Sequence, residues 1–215
     1  MAEPTLEYWF EFASTYSHVA THRLEPLARA AGVKLVWRPF LLGPIFKGLG
    51  WNTSPFNLQP AKGAYMWRDV ARESEKHGIP FRKPSEFPRN GLLAARVVTA
   101  SEAEPFLPEL VRAVYLANFR DDRDISDASV VRELLVAVGS DAPDALLARA
   151  GSPEVKDLLR RRTDDAIARG TFGAPSFFAN GELFWGNDRL EDALAWCNAS
   201  GRGKLTPYEL EPEPL

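Results

Sequence analysis

The period of the apolar residues changes twice between residues 5 and 39, and this constrains the fold more than any other feature of the sequence. In TLEYWFEF, residues 5–12, Leu6, Tyr8, Phe10 and Phe12 alternate with Glu7, Trp9 and Glu11, the period of a strand. From Tyr16 to Ala31, the positions Tyr16, Ala20, Leu24, Leu27 and Ala31 recur at helical spacing, with Ser14 placed as N-cap and Gly32 as stop. Residues 33–39, VKLVWRP, alternate again. A strand, a helix and a second strand joined in this way predict a parallel pair, because the crossover returns the chain to the same end of the sheet.

The rest of the chain is organised around this unit. LLGPIFKGLGWNTSPFNLQ, residues 41–59, is dense in Gly, Pro and Asn and reads as a long functional loop. Residues 61–77, 91–118, 126–149 and 153–169 carry mostly helical patterns, interrupted at Pro80, Pro84, Pro88, Pro105, Pro143 and Pro153. SFFAN and ELFWG flank Asn180-Gly181, a dipeptide suited to a two-residue hairpin turn. A final helix begins near Asn187, with Leu190, Ala193, Leu194 and Cys197 on one face and Asp188 and Glu191 spaced like a capping box. The order is that of an α/β thioredoxin-like fold with a large all-helical insertion between strand 2 and the C-terminal helix-hairpin-helix part. The expected division is 1–45 with 166–200 as a discontinuous thioredoxin-like domain, 46–165 as the insertion, and 201–215 as a Pro- and Glu-rich tail.

Counting excludes several chemistries. Cys197 is the only cysteine, so neither an intramolecular disulfide nor a C-x-x-C redox pair can form. No HExxH pair or cysteine cluster appears, His18, His22 and His77 alone make a poor metal case, and no metal is expected. Twenty-six basic and 29 acidic residues, with no basic block, argue against nucleic acid. No stretch approaches the length of a membrane span, and MAEPTLEYWFEF lacks a positive n-region and a long apolar h-region. The expectation is a cytoplasmic protein with no membrane partner.

In a thioredoxin-like fold the start of the first helix carries the reactive group, since free N–H groups and the helix dipole favour a thiolate there. Here that place is Ala13-Ser14-Thr15-Tyr16. An unassisted serine is a poor nucleophile, and no His or Asp is spaced to activate it. Ser14 suits two other roles, which can coexist: a helix cap, or a hydroxyl that stabilises a thiolate brought in by a ligand. In Gly173-Ala174-Pro175, the X-Pro before an apolar strand is a candidate cis bond that would present the backbone of Ala174 to a peptide. Taken alone, Asn52, Lys62 and Asp69 read as solvated surface, and Trp51, Tyr65, Trp67 and Trp185 as core. Cys197 reads as a buried structural thiol.

FEFASTYSHVA, GWNTSPFNLQPAKGAYMWRD, GTFGAPSFF and ELFWGNDRLEDAL, four blocks in order along nearly the whole chain, resemble the 2-hydroxychromene-2-carboxylate isomerases. These group with the kappa-class glutathione transferases and share a fold with the DsbA oxidoreductases. The resemblance implies glutathione as cofactor, with Ser14 facing its sulfur and Ala174, before cis-Pro175, pairing with the cysteinyl backbone. It further implies Asn187 and Asp188 at the γ-glutamyl end, Lys62 at the glycine carboxylate, and Asn52 near the tripeptide. Many family members carry Pro where Thr15 stands, so a looser start of the helix is expected here.

The implied reaction opens a cyclic hemiketal to trans-o-hydroxybenzylidenepyruvate, a small aromatic product of aromatic-compound degradation, by reversible thiolate addition. The runner-up is a kappa-type transferase or peroxidase that consumes glutathione. A third reading is a non-catalytic thioredoxin-like binding module. A homodimer is expected from the resemblance, and Arg38, Arg68 and Arg189 are the candidates for a substrate carboxylate.

Overall fold

The computed structural model describes residues 3–199; the expected tail at 201–215 lies outside them. β1 (Thr5–Phe10), α1 (Thr15–Ala31) and β2 (Lys34–Pro39) form the opening crossover, and β1 and β2 pair in parallel from Thr5↔Lys34 to Phe10↔Pro39. The ladder stops at Phe10, two residues short of the alternating pattern. Beyond Phe10 the chain enters the turn into α1, where the Glu11 carbonyl accepts from Ser14 N–H at 3.0 Å. β3 (Ser176–Ala179) and β4 (Glu182–Trp185) form an antiparallel hairpin through Asn180 and Gly181, at φ 52° and 87°, the left-handed pair that a two-residue turn needs. The sheet order is β2-β1-β3-β4, with β3 antiparallel to β1.

The segment expected as an irregular loop holds two short helices, α2 (Leu42–Gly48) and α3 (Pro55–Leu58). Ser54 caps α3 by accepting from Phe56 N–H, and Pro55 sits where the helix needs no donor. Six longer helices follow: α4 (Pro60–Lys76), α5 (Leu92–Ala100), α6 (Leu107–Phe119), α7 (Ala128–Ala137), α8 (Pro143–Ala150) and α9 (Pro153–Ala168). Every strand lies outside residues 46–165. The helices nevertheless share the core of the sheet, since Leu6, Tyr8 and Phe10 belong to one buried cluster with Val98, Leu110 and Leu135. Trp9, on the opposite face of β1, is also buried, against Phe40, Ile45, Ala166 and Phe178. Both faces of the sheet are therefore covered, which explains an aromatic residue at a position that the alternation places opposite Tyr8 and Phe10.

The described residues close with a 3-10 turn (Asn187–Arg189) and α10 (Leu190–Asn198). The expected capping box does not form: Asp188 lies in the 3-10 turn, and Glu191 instead pairs with Arg23 on α1. Cys197 is buried, its Sγ donating to the Thr5 carbonyl at 3.3 Å, and burial pushes the thiol up to about 11, as a structural role requires. Among the described residues no helix is long and apolar enough to cross a membrane, and no cluster of His, Cys, Asp and Glu could hold a metal ion.

His18 and His22 stack edge-on in the core at 4.7 Å. His18 Nε2 lies 3.1 Å from the Pro80 carbonyl and His22 Nδ1 2.8 Å from the His18 carbonyl. A carbonyl only accepts, so each of these nitrogens carries the proton. The other ring nitrogens, His18 Nδ1 and His22 Nε2, are buried without a partner. Charging either ring would put a new N–H where nothing accepts it; burial first and the neighbouring His22 second push His18 down to about 3. The stability tied to neutral His18 is complete above the unfolded value of 6.5 and is lost as pH falls towards about 3. Urea unfolding between pH 7 and pH 4 should show a steeper acid loss for wild type than for His18→Gln, by up to roughly 1.4 kcal/mol per pH unit. Equal slopes would mean that the folded protein takes up the His18 proton as readily as the unfolded chain does.

Candidate active site

The N-terminus of α1, the Ala174–Pro175 segment, α4 and the hairpin end surround a cavity of about 1180 Å³. Ser14 begins α1, and its Oγ does two things at once. It accepts from Ser17 N–H at 3.2 Å, which is the cap, and it donates to the Ala174 carbonyl at 2.8 Å, across 160 residues of sequence. The Ala174–Pro175 peptide is cis. Pro175 itself stands behind the cavity wall, its carbonyl accepting from Gly186 N–H at 3.0 Å. Thr15 is buried, and its hydroxyl lies 3.2 Å from Met66 Sδ on α4, so the start of α1 is held by packing where a proline would have held it by its ring.

Of the residues that the sequence reading brings together, Ser14, Lys62, Ala174, Asn187 and Asp188 line this cavity. Asn52 does not; it is exposed in the bend between α2 and α3, while its neighbours Trp51 and Ser54 reach the wall. Asn187 is buried and fully engaged: Oδ1 accepts from Arg23 at 2.8 Å and Nδ2 donates to Glu73 at 3.2 Å. Asp188 is largely exposed, its carboxylate paired with Arg189 at 3.5 Å. Lys62 stands over the Phe56 ring at 5.8 Å. Lys62 and Glu73 are both on α4, and at about 1.5 Å rise per residue the helix separates them by about 16 Å. The cavity therefore has Lys62 towards one end and, towards the other, the carboxylates of Glu73, Asp188 and Glu191, each paired with a cation: Lys76, Arg189 and Arg23.

Three of the four aromatics expected in the core are on the cavity wall instead: Trp51, Tyr65 and Trp185 are 36%, 61% and 50% exposed. Trp185 packs against Phe172 at 4.8 Å. Trp67 alone behaves as expected, against Phe81 and Phe87. Asp69 accepts from Tyr16 at 2.9 Å and from Arg72 at 2.9 Å; these bonds hold its carboxyl below the usual range despite partial burial, and its charge joins burial in raising the Tyr16 hydroxyl. Of the three arginines considered for a substrate carboxylate, Arg189 lines the cavity, while Arg38 faces Glu7 and Arg68 is exposed elsewhere. Glu11, Arg23 and Glu73 were not legible as site residues. Their only sequence signal is a position just before Ser14 for Glu11, since Arg23 and Glu73 meet Asn187 across more than a hundred residues.

The family model for the DSBA-like thioredoxin domain matches residues 5–195. A 2-hydroxychromene-2-carboxylate isomerase of Sphingobium xenophagum is 32% identical over 190 residues, covering 87% of this chain and 94% of that protein. Glutathione S-transferase kappa 1 of Homo sapiens is 28% identical over 216 residues, covering 94% and 95%. A solved 2-hydroxychromene-2-carboxylate isomerase superposes with a TM-score of 0.79 at 25% identity, over 93% of this chain and 100% of that one.

Proposed function

The chain belongs to the DsbA-like thioredoxin-domain family, and from that premise we propose that it is a glutathione-dependent isomerase acting on 2-hydroxychromene-2-carboxylate-type hemiketals. The observation that carries this reading is the cavity in which Ser14, at a helix N-terminus, faces the carbonyl of Ala174, with Lys62 on one side along α4 and Glu73 and Asp188 on the other. Three extended residues span about 10 Å, and the γ-linkage of glutathione adds to that, so the tripeptide fits the length between Lys62 and Glu73. Its glycine carboxylate would meet Lys62, and its ammonium group Asp188 and Glu73. Asn187 would act by holding Arg23 and Glu73 in place.

Bound glutathione supplies a thiol whose sulfur adds reversibly to a conjugated double bond. What the chain does is hold it. A ligand N–H arriving at the Ala174 carbonyl would release the Ser14 proton, which can turn to an anionic sulfur while Ser17 N–H still bonds the oxygen. Trp185, Phe172 and Trp51 offer flat apolar surface for a small aromatic substrate. The kappa relative keeps a second reading open in which glutathione is consumed by conjugation.

We read the same chain as a cytoplasmic homodimer without nucleic-acid or membrane partners, and divide it into a thioredoxin-like unit of 1–45 and 166–200 with a helical insertion at 46–165.

Calorimetric titration with glutathione tests the cofactor directly, and saturable binding is expected. No heat of binding would favour a non-catalytic module. Lys62→Ala should weaken that binding by up to about fivefold at low salt, because an exposed ion pair contributes at most about 1 kcal/mol, and the difference should fade as salt screens it. An unchanged affinity at low salt would move the glycine carboxylate elsewhere.

A further inference from the structure

Glu11 occupies the turn between β1 and α1, three residues before Ser14, and lines the same cavity. Its carboxylate is held in place: Oε2 accepts from Ala13 N–H at 2.9 Å, and its backbone carbonyl takes bonds from Ser14 N–H and from the Tyr115 hydroxyl at 2.9 Å. Gly91 closes over it, and a methyl group there would come to 3.2 Å from Oε1. The Ser14 hydroxyl, whose oxygen takes the Ser17 N–H and whose proton goes to Ala174 here, serves a sulfur as a donor and is too weak a base to take the proton of a thiol. No histidine lines the cavity.

We propose that Glu11 is the acid–base residue of this site, taking the proton of a thiol that lies against the Ser14 turn and returning it when the thiol departs. The proposal rests on the glutathione reading above. The S–H bond breaks with its electron pair left on sulfur, and the proton goes to a Glu11 oxygen. When the thiolate adds to a conjugated carbonyl compound, the carbonyl oxygen takes the displaced electron pair. The Glu11 proton can neutralise that charge, and elimination reverses both transfers, so nothing is oxidised or reduced.

The surroundings suit the task. Burial raises the Glu11 carboxyl to about 7, against the lowering effect of the Ala13 N–H. Nothing charged offsets this. Tyr115 from α6 is kept protonated by burial, and Tyr16 on α1 is turned to Asp69. Arg89, ahead of α5, is committed to Asp122 at 2.7 Å and to Asn118 at 3.2 Å.

Alkylation of bound glutathione by iodoacetamide tests this without requiring a known substrate. The sulfur–carbon bond forms, iodide leaves with the bonding pair, and the thiol proton passes to Glu11. The protein is kept in excess so that the tripeptide is bound, and buried Cys197 contributes no competing thiol. Wild type should react faster than free glutathione, with a rate that rises through about pH 7. Glu11→Gln keeps an oxygen for Ala13 N–H, and should bind glutathione as tightly while its rate falls well below that of wild type and loses the rise through about pH 7, leaving the part that Ser14 supplies. Glu11→Asp retains a titratable group and should recover part of the rate, which a purely structural role would not produce. Glutathione bound by wild type but no more reactive than free, or an unchanged pH profile in Glu11→Gln, would overturn the assignment and leave the cofactor reading standing. Absence of binding to wild type would remove both.

Discussion

Ser14→Ala should lower glutathione-dependent turnover by about ten- to a hundredfold, because one hydrogen bond to a charged sulfur is worth roughly 1.5 to 3 kcal/mol when it is expressed in the transition state. The same substitution removes the cap on α1 and the bond to Ala174, which costs about 1 kcal/mol of stability. The two losses separate cleanly. A cap acts on the folded fraction, whereas a thiolate donor acts on every folded molecule and raises the pKa of the bound thiol. Tripeptide affinity should survive, since Lys62, Asp188 and the Arg23–Asn187–Glu73 bonds are untouched. The pH dependence of turnover at saturating glutathione, with folding followed in parallel, reads both effects. Unchanged turnover per folded molecule would leave Ser14 a cap and nothing more.

Gly63→Ala should destabilise the protein by about 1 to 3 kcal/mol, a large effect for one methyl group. Gly63 is buried in the first turns of α4, where an added Cβ would run into the Phe56 carbonyl oxygen of α3. The obstacle is backbone, so relief requires α3 to move away from α4. That movement would carry Phe56 from beneath Lys62, and glutathione affinity should weaken together with the denaturant midpoint. A variant with the wild-type midpoint would mean that the α3–α4 contact is loose.

The parts of this molecule that were legible in the sequence are those determined by neighbours along the chain. The parallel β1–α1–β2 unit follows from the two changes of period, and the β3–β4 hairpin from Asn180-Gly181, because each signal lies within the element it specifies. The short helices α2 and α3 were hidden by a composition that reads as loop, although Ser54-Pro55 is itself a helix start. Asp188 and Glu191 have the spacing of a capping box, yet the 3-10 turn and the pull of Arg23 from α1 prevail over the local motif. Long-range convergence was out of reach for the same reason. Arg23 and Glu73 become site residues only when three distant segments meet at Asn187, and Trp51, Tyr65 and Trp185 are ordinary core candidates until the cavity exposes them. Glu11 reads as the polar face of a strand, and only the turn that follows Phe10 places it in the cavity wall.

The measurement that bears most directly on the account is the change in ultraviolet absorbance as 2-hydroxychromene-2-carboxylate opens, followed with wild-type protein in the presence and absence of glutathione. Conversion to trans-o-hydroxybenzylidenepyruvate should require glutathione, and the tripeptide should be recovered unchanged at the end. Conversion that proceeds equally without glutathione, or glutathione consumed in proportion to product, would contradict its role as a bound and regenerated cofactor.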